Sequence, residues 1–172
     1  MQSSATLSQP PFGRGRLSAG LLPYRRDSRG ELEVFLLHPG GPFFAKEDRG
    51  VWTLGKGQVE EGETPFTAAL REFREETGFA PPTDEKGYCF LGEARYPTGK
   101  RVMVWAREMP DLDPATLHSN QVAITLGGRV VEVPEIDRAA WYLLDTAREK
   151  IYPPLLPLLE RLEKQAGGKG SY

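Results

Sequence analysis

Four glutamates, one arginine and two glycines stand at fixed offsets between Gly57 and Phe79: Gly57, Glu63, Arg71, Glu72, Glu75, Glu76 and Gly78. Side chains three and four positions apart share one side of a helix, so Glu72, Glu75 and Glu76 project to neighbouring places. Like charges at that spacing repel by about 0.2–0.5 kcal/mol per pair unless a cation sits between them. Arg71 can serve one or two of these acids, not all three. A hard divalent cation with oxygen ligands is the natural remaining counter-charge, and magnesium in particular combines one or two carboxylates with substrate phosphates. Taken alone, the helix also reads as a solvated amphipathic helix whose acids face water. Its surroundings favour the cation. Gly57 permits a close backbone approach and offers a carbonyl ligand. Glu63 stands just before the helix, where it can pair with Arg71. A helix N-terminus beside a glycine-containing loop suits phosphate.

These residues need a helix and a sheet to hold them. Thr64 can cap the helix, with Pro65 in the first turn, where a missing N–H costs nothing. Phe66, Ala69, Leu70 and Phe73 then form one apolar stripe, and Gly78 falls where a C-terminal cap is expected. Upstream, Ser18–Arg25 and Glu31–His38 read as a hairpin around the turn Asp27-Ser28-Arg29-Gly30. A glycine- and proline-broken loop follows from Pro39 to Gly50, then a short strand Val51–Leu54. Downstream strands are expected at about 88–96 and 101–108, joined by the turn at 97–100, and again near 128–133 and at Ala139–Leu143. Asp145 can cap a helix reaching about Ile151. Leu155, Leu158, Leu159 and Leu162 repeat at helical spacing. Strands with a few helices and no regular βαβ alternation indicate an α+β domain with a mixed sheet.

The Gly57–Phe79 segment resembles the Nudix box, G-x5-E-x7-R-E-U-x-E-E-x-G-U, where U is a bulky apolar residue. Every fixed position is met, with Phe73 and Phe79 at the U positions; an aromatic residue at the first of these departs mildly from the commoner aliphatic one. A chance match in a chain of this length is on the order of one in a million. The resemblance implies an α/β/α sandwich around a mixed β-sheet. It also implies hydrolysis of a nucleoside diphosphate linked to another moiety, with Mg2+ or Mn2+ as cofactor. It would make Gly57 (through its carbonyl), Glu72, Glu75 and Glu76 the metal ligands and Arg71 the residue that orients them. Glu63 would be a structural or electrostatic partner, and Glu75 or Glu76 the general base. Some family members draw the base from a later loop, where Glu132 and Glu135 are the candidates as additional ligands or base.

The box leaves the substrate open. Gly50–Gly57 resembles the W-x-x-P-K-G lead-in of diadenosine polyphosphate and diphosphoinositol hydrolases, with Gly55 in place of the usual proline, and Lys56 could reach a phosphate. Tyr96, 17 residues after Phe79, resembles a tyrosine of the dinucleoside polyphosphate subgroup. Phe43 and Phe44 could stack a base, and Arg14, Arg16, Lys46, Lys100 and Arg101 could ring a polyphosphate. The segments Ser18–Arg25 and His38–Phe43 resemble bacterial Nudix proteins described as NTP pyrophosphohydrolases, which names no substrate. A dinucleoside polyphosphate is the preferred reading. A nucleotide-pool-sanitising triphosphate pyrophosphatase is the closest rival, diphosphoinositol or ADP-ribose hydrolysis follows, and a nucleotide sensor without turnover is the reading from another class. Against the sensor stands the intact set of box glutamates.

The bulk numbers are compatible with all of this. The chain has 172 residues, 39% hydrophobic and 27% charged, with a net charge of −2. That length suits one domain and needs neither disulfide nor structural metal to fold. The expected organisation is a flexible segment over 1–15, a single domain over 16–166 and a flexible tail over 167–172. No basic block suggests a nucleic-acid groove, and no apolar run reaches the ~20 residues that span a bilayer. The N-terminus lacks the apolar core of a signal peptide. A small nucleotide partner, no nucleic acid, no membrane, a monomer or homodimer and a cytoplasmic setting are expected. The single cysteine, Cys89, reads as a strand or core residue, and His38 and His118 show no ligand spacing.

Overall fold

The computed structural model describes residues 17–167. The segment expected to be flexible over 1–15, nearly all of the tail, and the candidate phosphate contacts Arg14 and Arg16 lie outside the described residues.

Eight strands and three α-helices follow in the order β1 (Leu17–Arg26), β2 (Leu32–Pro39), β3 (Gly55–Gln58), α1 (Pro65–Thr77), β4 (Cys89–Arg95), β5 (Arg101–Glu108), β6 (Gln121–Leu126), β7 (Arg129–Pro134), β8 (Ile136–Leu143), α2 (Leu144–Lys150) and α3 (Leu156–Ala166). The main sheet runs β4-β5-β1-β2-β8, with β3 also paired to β1. It is mixed, because β1 and β5 are parallel while the other pairs are antiparallel. β1 is shared between two partners on one side: Ser18–Leu21 pair with β3 and Tyr24–Arg26 with β2. Strands buried on both faces need apolar residues in succession, and β1 and β2 have them. Leu22, Val34 and Leu36 face a core completed by Ala147 of α2 and Leu158, Leu159 and Leu162 of α3. Ala19 and Leu21 face the other way, against Phe66, Ala69 and Phe73 of α1, and Phe35 and Leu37 form a third cluster with Ile136. The result is an α+β fold with helices on both faces of a mixed sheet, as the sequence indicates.

Four local readings change. Val51–Leu54 is not a strand. Trp52 and Thr53 make single bridges to Ile151 and Leu37, and the ladder begins at Gly55 because only there does the chain come alongside β1. The strand near 128–133 is β7, and its partner β6 had not been foreseen; the two form a separate hairpin closed by Gly127-Gly128, both at positive φ. Asp145 does not cap α2. The helix starts directly from β8 with Leu143 at the cap, leaving Asp145 in the first turn, 2.6 Å from Arg148 Nη1. The last helix starts at Leu156 after a short 3-10 turn over Pro153–Leu155. Cys89 is a half-buried strand residue whose Sγ faces Gln165.

Candidate active site

The local chemistry of α1 explains its placement. Thr64 Oγ1 accepts from Thr67 N at 3.2 Å, which satisfies one of the orphan amides of the first turn. At the other end Gly78 adopts φ 78° and donates to Arg74 O at 2.8 Å. Phe73 pins the helix to β3. A Cβ on Gly55 would lie 2.8 Å from the Phe73 ring, so the absence of a side chain there lets helix and strand close. The same closeness recurs one turn of contact along, where any Cβ on Gly57 would overlap the Glu72 carboxyl group. Gly57 is therefore a cradle for a carboxylate.

Arg71 organises the acids. Its Nε and Nη2 donate to the two oxygens of Glu63 at 2.9 and 3.0 Å, and Nη1 donates to Glu72 Oε1 at 2.9 Å. Glu75 lies further off, at 3.4 Å from Nη1, and is half-exposed. Nη2 also donates to Gln58 O at 3.0 Å, tying the loop before the helix to it. The hydrogen bonds from Arg71 hold Glu63 below the usual carboxylate range, and Glu63 in turn raises Arg71.

Glu76 differs from its neighbours. It is 3% exposed and accepts from the Lys56 backbone N at 3.0 Å. Burial pushes its carboxyl up to about 8; the Lys56 cation opposes the rise, and Glu135 and Glu72 add to it. Burial also raises Glu72, against the pull of Arg71, and Glu75 and Glu135 add to it. Glu72, Glu76 and Glu135 thus act on one another across one acidic region. Lys100 faces the same region. Burial and the Lys56 cation lower it, while Glu76, Glu72 and Glu135 push it back up.

Beside Glu76 opens a pocket of about 460 Å³ lined by Lys56, Thr53, Tyr96, Glu135, Phe44 and Tyr152, among others. It has a charged floor and an aromatic wall. The Tyr96 hydroxyl is buried with no hydrogen-bond partner, while its ring packs on Tyr152 at 5.1 Å and under Lys100 Nζ at 5.3 Å. A buried hydroxyl left unpaired costs free energy. Glu135 is held by its backbone, which accepts from Gly40 N and donates to Asn120 O, while Asn120 N donates to Glu75 O.

Lys56, Glu76, Tyr96 and Glu135 therefore come together, with Gly57, Glu63, Arg71, Glu72 and Glu75 on the adjoining helix face. Two sequence candidates do not join them. Phe43 is 63% exposed, and its neighbour Phe44 is the aromatic residue that lines the pocket. Glu132 is an exposed residue of β7 paired with Ala123. Arg16 lies outside the described residues. Thr53 and Tyr152 were missed, and no local spacing announces them, because Tyr152 arrives from a segment almost a hundred residues later. Among the described residues no three His, Cys, Asp or Glu side chains converge closely enough to enclose a cation by themselves. The donors that are present nevertheless suit a hard cation: carboxylate oxygens, a cradling glycine with its carbonyl, and room for ligand oxygens alongside.

Comparison with known proteins accords with this geometry. The sequence matches the NUDIX domain across residues 15–162. It is 31% identical over 118 residues to an 8-oxo-(d)GTP phosphatase of Mycolicibacterium smegmatis, a match covering 66% of this chain and 30% of that protein. The chain thus spans under a third of that relative's length. It is 26% identical over 175 residues to an RNA pyrophosphohydrolase of Rhodospirillum rubrum, covering 93% of this chain and 94% of the other. The fold superposes on a C. elegans Ap4A hydrolase binary complex with a TM-score of 0.58 at 22% identity, over 89% of this chain and 98% of that one. No helix among the described residues is long and apolar enough to cross a membrane.

Proposed function

The chain belongs to the NUDIX domain family, and from that premise we propose that it is a Mg2+- or Mn2+-dependent pyrophosphohydrolase. Its substrate is a nucleoside diphosphate joined to a further moiety, with dinucleoside polyphosphates of the diadenosine tetraphosphate kind preferred. The single domain over 16–166 carries the activity. The observation that supports this reading most is the position of Glu76. A buried carboxylate, raised by burial and by two neighbouring acids, lines a pocket together with Lys56 and Tyr96, and Lys100 Nζ stands 5.3 Å from the Tyr96 ring.

The Gly57 carbonyl, Glu72, Glu75 and Glu76 would hold the cation, with Glu135 as a further ligand. When bound, it neutralises phosphate charge and lowers the pKa of a coordinated water. The chain's own residues do the rest. Arg71 fixes Glu63 and Glu72 by three short hydrogen bonds and, with a fourth to Gln58 O, holds the acids in register with Gly57. Lys56 and Lys100 place two cations along a polyphosphate. The Tyr96 hydroxyl donates to a phosphate oxygen, and Phe44 and Tyr152 offer ring faces to a base. Glu75, half-exposed and only loosely held by Arg71, keeps free lone pairs to accept the proton of an attacking water.

A triphosphate pyrophosphatase that sanitises the nucleotide pool is the second reading, favoured by the 31% identity to the 8-oxo-(d)GTP phosphatase. A panel of diadenosine tetraphosphate, ordinary and oxidised NTPs and ADP-ribose with Mg2+ separates the two. Fastest turnover of the dinucleotide is expected, and fastest turnover of 8-oxo-dGTP would install the second reading instead. Chelation should abolish turnover. Glu76→Gln should lower kcat by roughly three orders of magnitude with the circular dichroism spectrum unchanged.

A further inference from the structure

His38 is wholly buried at the end of β2, and the proposed chemistry makes no use of it. Both ring nitrogens are nevertheless engaged. Nδ1 lies 2.9 Å from Asp137 Oδ1 and Nε2 lies 2.7 Å from Glu47 O. The two partners come from different segments. Glu47 belongs to the loop 40–50, whose Phe44 lines the pocket, and Asp137 follows Glu135 by two positions at the start of β8. The same two segments touch at Gly40, whose N donates to Glu135 O at 2.8 Å and whose missing side chain would otherwise overlap Pro134 O. Behind the imidazole stands Trp52, edge-on at 5.1 Å. Its Nε1 donates to Asp48 Oδ1 at 2.8 Å, and Lys150 Nζ holds the other oxygen of Asp48 at 2.6 Å.

A residue needed only to fill this space would be apolar, since burying polar nitrogens is unfavourable unless they are bonded. Here each nitrogen is bonded, and each bond fastens one wall of the pocket. We propose that His38 is a positioning residue: by bridging Glu47 and Asp137 it sets the loop that carries Phe44 at a fixed distance from the segment that carries Glu135. It touches no substrate and acts through those two residues. Loss of the bridge should widen the gap between the aromatic wall and the charged floor, weakening substrate binding while leaving the α1 acids in place.

The kinetic arm of the test rests on the proposed pyrophosphohydrolase reading, and the exchange arm does not. His38→Gln keeps a donor in the cavity but cannot bridge both partners, and Asp137→Ala removes the acceptor at a partly exposed position. Full-length wild type and both variants are compared by hydrogen–deuterium exchange and by Michaelis kinetics on the best panel substrate with Mg2+. In folded variants, exchange across 40–50 should rise about tenfold while α1 keeps its protection. KM should rise about tenfold with kcat within roughly twofold, the signature of lost binding rather than lost chemistry. Unchanged exchange in 40–50, or local loosening with an unchanged KM, overturns the proposal. So does a loss of protection spread equally over α1, which would make His38 a general stability residue. Should His38→Gln not fold, Asp137→Ala decides alone. Should the wild type hydrolyse nothing on the panel, the functional reading fails, and the exchange result still judges the bridge.

Discussion

Arg71 and Gly57 show how closely this site is specified at single positions. Arg71 lies between Glu63 and Glu72 with a planar fork that a lysine cannot reproduce. Gly57 leaves a hollow that the Glu72 carboxyl group fills. A methyl group there must displace that carboxylate, so Gly57→Ala should cut turnover by about a hundredfold or more, with secondary structure retained. Wild-type kinetics in that variant would remove Glu72 from the reactive arrangement. Glu76 carries a separate consequence for stability. Its carboxyl stands at about 8 when folded against an ordinary 4.5, so between those values the folded chain holds a proton that the unfolded chain has lost. The metal-free protein should therefore lose stability as pH rises from about 4.5 to 8 and level off above that. Glu76→Gln should flatten the slope, because its amide does not ionise. Thermal midpoints of both proteins in chelator, compared across that range, measure the difference. A wild-type curve that climbs relative to the variant's would contradict the burial argument.

At the level of elements, α1 was legible from end to end and the segments around it were less so. Its cap, apolar stripe and terminating glycine act within a turn or two, so Thr64, Phe66, Phe73 and Gly78 carried their own evidence. Gly78 at φ 78° is also pressed from outside, since a Cβ would lie 2.9 Å from His118 O. Gly78→Ala should cost about 1–2 kcal/mol, seen as a lower urea midpoint with an unchanged slope. An unchanged midpoint would mean that the helix end re-forms elsewhere. Pairing, by contrast, is not local. Val51–Leu54 has strand composition but meets only Leu37 and Ile151, while β3, with two glycines among four residues, lacks strand composition and becomes a strand by lying against β1. β6 was missed although Gly127-Gly128 between two apolar runs is a hairpin signal. Asp145 misled because a capping residue type one position inside a helix looks the same in sequence as one at its start.

The molecule as a whole assembles its pocket from residues 39–56, 76, 96, 135–136 and 152. Lys56, Tyr96 and Glu135 could be singled out beforehand through the family resemblance. Tyr152 and Thr53 could not, because only the closed sheet brings them to the site. The packing that closes it is dense. Phe73 is fully buried between α1, β3 and Phe79, so Phe73→Ala should cost about 3–5 kcal/mol by chemical denaturation. Phe43→Ala, at an exposed tip, should change stability by no more than about 0.5 kcal/mol. A small loss at Phe73 would mean that helix and sheet are less tightly joined than the geometry shows. The parallel partnership of Leu17–Arg26 with Arg101–Glu108 bears on how the protein is born. Synthesis proceeds from the N-terminus, and contacts between distant segments form late. Once synthesised, β1 must wait for some eighty further residues before its long neighbour exists. Throughout that wait the greasy side of the acidic helix has only part of its eventual cover. A nascent chain stalled before residue 101 should therefore be a client for chaperones, whereas one released after α3 can shut both faces at once.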